Sequence, residues 1–370
     1  MKKSWLYAVC LVCLAAACSG TKQSVTLETT DSCLIGRNPY ILLLDKHIVV
    51  FSNKSCYLFD KMNGKFVCEV GHGGDGPEAY SYAQPTYNDV DKTLCFKREP
   101  NGLQKYDLQG NYLGKLVIPT PPAAPNDYVF TDSLIIGYYN NVAQQYNVRA
   151  LMFFNAEGTQ IDTVPSLLPV LPEKQLNDIA EISVRRFGLA GFFLSKFSDG
   201  SYSAGIRGIP FLWKNKGKVR FKESFNDTVY TVERERLVPA IAFSTGKWHW
   251  GADARTDSKD NENRLLMTAV FETDYTISFQ CTREIYGGKP DTFNGIYNRQ
   301  TGTTRMYAEK EGITDDLTNF MPFHPKTCSA RGGGICNDCW GGCSGHNVAL
   351  VGMTVCILST YEKMAVNVIR

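Results

Sequence analysis

The sequence predicts an all-β protein, a six-bladed β-propeller of four-stranded antiparallel blades, and three observations predict it. The first is a recurring element: an apolar strand ending in an aromatic residue plus Asp or Asn, a short turn with Gly, then a second strand. It reads YLFDKMNGKFVCEV at 57–70, QKYDLQGNYLGKLV at 104–117, LMFFNAEGTQIDTV at 151–164 and NGIYNRQTGTTRMY at 294–307. Asp and Asn bond their own backbone at the start of a turn, and Gly supplies the positive φ that a tight hairpin needs. The second observation is spacing. The Asp or Asn positions are 60, 107, 155 and 298, so the steps are 47, 48 and 143, the last about three periods. Two further units belong between, with candidates at Ser198-Asp199-Gly200 and in the strand pair from Thr228 to Phe243. The third is the near absence of a helical period; only Glu173 to Ile182 reads as a short surface helix.

In chain order, the first element is a leader. Lys2 and Lys3 precede the apolar run Leu6 to Leu14, and Ala15, Ala16 and Ala17 lead to Cys18. A positive start, a short apolar stretch and small residues form a secretory signal, too short to span a bilayer. Small residues directly before a cysteine resemble the lipobox of bacterial lipoproteins, with one departure: Leu14 stands four residues before the cysteine, where that family usually has Leu at three. The resemblance implies cleavage after residue 17 and a lipid on Cys18, which becomes the membrane anchor. Residues 18–37 follow as lipidated N-terminus and polar tether. Losing the leader removes two lysines and no acid, leaving 37 basic and 37 acidic side chains. A neutral chain lacks the electrostatic footprint of a nucleic-acid binder.

The propeller is expected over residues 38–327. From 38 to 326 the chain has 289 residues, six periods of 48, and a four-stranded blade takes roughly 40–50 residues. One blade cannot bury both its faces; stacking blades radially covers them. A sandwich or solenoid would accommodate the strands but not their even period. Several motifs then resemble the six-bladed, TolB-like β-propeller lipoproteins of Bacteroidota. Gly73-Gly74-Asp75-Gly76-Pro77-Glu78-Ala79-Tyr80 is similar to that family's Gly-x-Gly-Pro-Gly-Glu-Tyr loop, with Ala79 intruding before Tyr80. Asn226-Asp227-Thr228-Val229-Tyr230 resembles its Asn-Asp-Thr-Val-Tyr strand start, and Asp315-Asp316-Leu317 with Pro322-Phe323 its last blade. The resemblance implies the fold and an envelope location, not an activity.

Few motifs carry chemistry. Gly71 to Gly76 matches a dinucleotide-binding glycine pattern, but Pro77 follows and no helix opens there to face a pyrophosphate. The segment with Gly73, Gly76, Pro77, Glu78 and Tyr80 reads instead as an inter-blade loop, so neither a nucleotide nor any other cofactor is expected. No nucleophile elbow or His-Glu-x-x-His occurs, so no catalytic residue is assigned. Trp248-His249-Trp250 is the foremost candidate for ligand binding, since tryptophan offers a large apolar face with a polar N–H. Arg185-Arg186-Phe187 is a weaker one.

Residues 328–370 change character, with five cysteines between 328 and 356. Three readings stay open. Cys336, Cys339, Cys343 and His346 form a set suited to tetrahedral zinc, at unusually tight spacing. An oxidising compartment favours disulfides instead. The third reading is a frameshift product from about residue 332: moving the codons of Gly334 to Gly341 by one base yields strand-like residues. A shifted frame would leave the last blade incomplete. The function expected from all this is a cell-envelope lipoprotein, outer-membrane anchored by its lipid, whose propeller binds an envelope protein or glycan without catalysis. The alternative is a hydrolase or lyase acting on a carbohydrate or peptide at the propeller axis.

Overall fold

The computed structural model describes residues 22–30, 33–35, 40–52, 55–118, 125–139, 149–170, 174–234, 236–259, 261–288, 290–311, 346–351 and 354–359. Strand β1 (Lys22–Thr26) comes first. Blade 1 is the meander β2 (Tyr40–Leu43), β3 (His47–Ser52), β4 (Ser55–Asp60) and β5 (Phe66–Glu69). Blade 2 is β6 (Pro85–Asn88), β7 (Thr93–Arg98), β8 (Gly102–Tyr106) and β9 (Tyr112–Val117). Blade 3 is β10 (Asp127–Phe130), β11 (Ile135–Tyr138), β12 (Arg149–Phe154) and β13 (Gln160–Pro165). Every pairing is antiparallel. The recurring Asp or Asn starts the third turn of blades 1, 2 and 3, and of blade 5 described below: Asp60 Oδ1 accepts from Met62 N at 2.9 Å, and Asp107 Oδ1 from Gln109 N at 2.9 Å.

A three-stranded sheet follows: β14 (Ile179–Phe187), β15 (Ala190–Phe197) and β16 (Tyr202–Arg207). Blade 4 is β17 (Leu212–Asn215), β18 (Lys218–Phe221), β19 (Thr228–Glu233) and β20 (Arg236–Ala242); blade 5 is β21 (Leu265–Glu272), β22 (Thr276–Arg283), β23 (Asp291–Asn298) and β24 (Thr303–Ala308). Last come β25 (His346–Val351) and β26 (Thr354–Ser359), which pair with each other, and β26 pairs with β1.

The β14–β16 sheet is not a blade. β10 lies directly against β6 and against β17, so the first strands of blades 2, 3 and 4 are neighbours around the axis. Asp127 fixes this junction: its Oδ2 accepts from the N–H of Phe211 at 2.7 Å and of Leu212 at 3.0 Å. β10 is buried along its whole length, whereas β14 is mostly exposed. The sheet is an insertion between blades 3 and 4. It lays Phe187, Leu189, Phe192, Leu194 and Ile206 on an apolar cluster that includes Tyr138, Phe221 and Leu266 of blades 3, 4 and 5.

Three turn glycines show how the ring closes. Gly110, between β8 and β9, sits at φ +86° so close to blade 1 that a Cβ would lie 2.9 Å from the Glu69 carbonyl oxygen. Gly158, between β12 and β13, bears in the same way on Val117 of blade 2, where a Cβ would overlap the carbonyl oxygen. Each turn meets the outermost strand of the preceding blade. Gly64, between β4 and β5, meets the Thr26 carbonyl identically, and Glu28 N donates to Gly64 O at 2.9 Å. Strand β1 therefore precedes blade 1 as β5 precedes blade 2. The sheet β25–β26–β1 is the sixth blade, with three strands among the described residues. The molecule is a six-bladed β-propeller that joins its N-terminal strand to its C-terminal hairpin.

Two expectations need correction. Residues 173–182 were expected to be a helix, but Leu176–Asp178 is a single 3-10 turn and β14 starts at Ile179. The run Ile-Ser-Val suits a half-exposed strand, and pairing with β15 overrides any local helical preference. The hairpin at Ser198-Asp199-Gly200 joins β15 to β16, so it belongs to the insertion and not to a blade. The strands at 22–26 and 346–359, which fall in the tether and tail of the sequence reading, share one sheet.

Candidate functional site

Successive strands of a blade run in opposite directions. Turns after the first and third strands therefore lie on one face of the ring, and connections after the second and fourth on the other. The longer connections gather on this second face: residues 71–84, 166–178, 222–227 and 243–264. Both ends of the insertion attach there.

On that face the loop between β18 and β19 meets the connection from blade 4 to blade 5. Asp227 and His249 are 22 positions apart in sequence. Here Asp227 Oδ2 lies 2.9 Å from His249 Nδ1. The Asp227 side chain is nearly covered, while that of His249 is 58% exposed. Trp248 is partly buried, with the Lys247 ammonium 5.2 Å from its ring centroid. Asn226 Oδ1 accepts from Thr228 N at 2.9 Å, which turns the chain into β19 and sets Asp227 at its edge. The dyad leaves the other imidazole nitrogen to face solvent beside Gly251 and Asp253. It can accept or donate one hydrogen bond, with the carboxylate fixing the ring.

Trp250 is no part of an exposed surface. It is 1% exposed, edge-on to Phe225 at 5.7 Å and to Tyr286 at 5.5 Å, and its indole N–H donates to Ala254 O at 3.1 Å. Trp248, at the end of the 3-10 turn Gly246–Trp248, is by contrast only partly buried. The burial of Trp250 and its bonded indole N–H leave no face for a ligand, contrary to the expectation from sequence; it anchors the connection.

Beneath the dyad lies a set of buried charges that sequence reasoning did not single out. Lys222 Nζ donates to Met267 O at 2.8 Å; burial pushes its pKa down to about 8, opposed by Asp227 and Glu223. Burial raises the pKa of Glu223, opposed by its bonds from Ser166 Oγ at 2.5 Å and Leu167 N at 3.0 Å and by Arg255. Arg255 donates to Pro169 O and accepts Tyr286 OH at its own carbonyl. These groups tie the entry to the insertion, residues 166–169, onto blade 4. The one sequence signal was the position of Lys222-Glu223 just before Asn226-Asp227, and an adjacent Lys-Glu pair normally reads as a solvated face.

The loop of Gly73, Gly76, Pro77, Glu78 and Tyr80 connects blades 1 and 2 and is clamped to blade 2. Tyr80 is buried, stacked on Phe96 at 4.4 Å, and its N–H donates to His72 O at 3.0 Å. Gln104 Nε2 donates to Pro77 O at 2.8 Å, Tyr106 OH to Glu78 O, and Arg98 to Asp75 O at 3.1 Å. No helix follows Gly76. Cys18, Cys336, Cys339 and Cys343 lie outside the described residues, and His346 opens β25. Among the described residues no group of three or more His, Cys, Asp or Glu side chains could hold a metal ion.

The fold is shared with known proteins. A protein from Bacteroides fragilis NCTC 9343 described as exported superposes with a TM-score of 0.55 at 16% identity, over 89% of this chain and 83% of that one. BamB from Moraxella catarrhalis gives 0.37 at 8% identity, over 91% and 98%. No curated protein matches. A family model does match residues 20–339, spanning every blade up to the C-terminal hairpin, and the chain belongs to that family, DUF4934, a domain of unknown function.

Proposed function

We propose that this chain is a cell-envelope lipoprotein whose propeller binds a ligand, a glycan or an envelope protein, on the face that carries the long connections. The observation that carries the reading is the exposed His249 held by Asp227 at 2.9 Å, with the partly buried Trp248 next to it in the chain. The likeness to an exported Bacteroides protein and to the TolB-like propellers of that phylum supports the envelope location, as does the leader ending at Cys18. Among the described residues no helix is long and apolar enough to cross a membrane; the anchor in this reading is a lipid on Cys18, in the outer membrane, and it rests on the lipobox-like leader. Palmitate labelling of wild type and Cys18→Ala tests it; labelling that persists in the variant refutes the anchor.

For the ligand, a glycan array probed with purified protein is the direct test. Binding that Trp248→Ala and His249→Ala each reduce by tenfold or more supports the site; retention unchanged in both refutes it. A second reading, a hydrolase or lyase for a carbohydrate or peptide, is favoured by the same dyad, in which a carboxylate orients an imidazole as a general base requires. Release of reducing ends or new amines, lost in His249→Gln, would decide for it.

A further inference from the structure

The inserted sheet ends in an edge that nothing covers among the described residues. β14 is nine residues long, pairs with β15 alone, and contains no proline. A bulge at Ala180 closes its regular pairing, leaving Glu181 to Phe187 as a straight edge. Ile182 and Val184 are 55% and 69% exposed on one face of it. Glu181 and Arg185 share the opposite face, four positions apart.

This edge is complementary to itself. Placed antiparallel against a second copy and centred on Ser183, Glu181 stands opposite Arg185 and Ile182 opposite Val184, each pair occurring twice. Directly opposed residues on paired strands have their side chains on the same face, and opposite charges or apolar pairs there are stabilising. Two-fold symmetry makes such a contact isologous and closed. The other described strands at sheet edges lack this pattern. β9 and β24 have no acid, β13 and β5 no base, and β20 no acid and a proline at 239. An uncovered, uncharged edge invites aggregation; here the charges select one register. The tip of the insertion docks on blade 5, where Leu189 N donates to Gln280 Oε1 at 2.8 Å, while Glu181 to Arg186 of β14 stay exposed or partly exposed.

We propose that β14 is the dimer interface of this protein, joining two copies through a continuous six-stranded sheet made from both insertions. This goes beyond the ligand reading and does not depend on it. Sedimentation of the full-length chain in mild detergent, from about 1 to 100 µM, should show a dimer. Glu181→Arg should weaken it by roughly tenfold or more, because four arginines then face one another. The double change Glu181→Arg with Arg185→Glu restores the opposed charges and should restore the dimer. Ser183→Cys, on the two-fold axis, should give on mild oxidation a disulfide joining residue 183 of both copies, identified by peptide mapping so that links through the chain's other cysteines are told apart. A monomer throughout the concentration range overturns the proposal. So does a dimer indifferent to Glu181→Arg, or one that Ser183→Cys fails to cross-link.

Discussion

Lys222 is an ammonium group enclosed by blades 4 and 5, and its surroundings fix how stability must vary with pH. Burial lowers its pKa to about 8 from an ordinary 10.5. The folded chain therefore releases this proton before the unfolded chain does. Between about pH 8 and 10.5 the unfolded state holds more protons, so this group makes unfolding harder as pH rises. Its contribution is complete above the unfolded value and is lost as pH falls through the folded one. Buried thiols such as Cys95 and Cys281, held up to about 12, act in the opposite direction. The informative quantity is thus the stability difference between wild type and Lys222→Met, measured by denaturant titration. It should rise with pH across this window, and a flat difference contradicts the assignment. Trp250 and Trp248 make a second test at this scale. Trp250→Ala removes a ring packed on two sides and should cost about 3–5 kcal/mol. Trp248→Ala, at the surface, should cost under about 1 kcal/mol. Thermal melts compare them directly. The sequence could rank both tryptophans as candidates but could not separate them, because that depends on which side of residue 249 meets Phe225 and Tyr286.

At the scale of elements, the repeating hairpin does more than reverse the chain. Its glycine has a positive φ, which any side chain strains, and at three places it also touches the preceding blade. Gly110 combines both demands, whereas Gly302, in the corresponding turn of blade 5, has φ +69° and open space around it. Gly302→Ala should therefore cost about 1 kcal/mol. Gly110→Ala should cost clearly more, since a backbone oxygen must move. Equal losses in chemical denaturation would show that the contact with Glu69 is not stabilising. The turn chemistry was legible from residues alone, since Asp or Asn followed by Gly has a local cause. The contact was not, because it lies between segments more than 40 residues apart. The inserted sheet illustrates the same limit. Its strands repeat the local pattern of a blade, and only the adjacency of β10 to β17 shows that it stands outside the ring.

For the molecule as a whole, closure rests on β1 and β26. Their register runs from Lys22 opposite Leu358 to Thr26 opposite Thr354. An open ring leaves the edges of blades 1 and 5 uncovered. A chain ending at residue 345 should melt at a lower temperature than the full chain and aggregate more readily; an unchanged melting temperature would show that closure does not stabilise the ring. The same experiment bears on the reading frame near residue 332. Sequencing across codons 325 to 345 decides whether the C-terminal hairpin is the one the gene encodes.

By itself, the sequence determined the strand content, the repeat of about 48 residues through blades 1 to 3 and the six-bladed propeller class, but its count over 38–326 took the insertion for a blade and left β1, β25 and β26 in the tether and tail. What it determined follows from local causes: alternation of apolar residues, turn-forming Asp and Asn, and glycine at positive φ. Tertiary structure alone decided which repeats form the ring, which tryptophan is buried, and that Asp227 meets His249 above Lys222 and Glu223. Those outcomes depend on side chains brought together from separate blades, and a pairing across blades leaves no periodic trace in the chain that makes it.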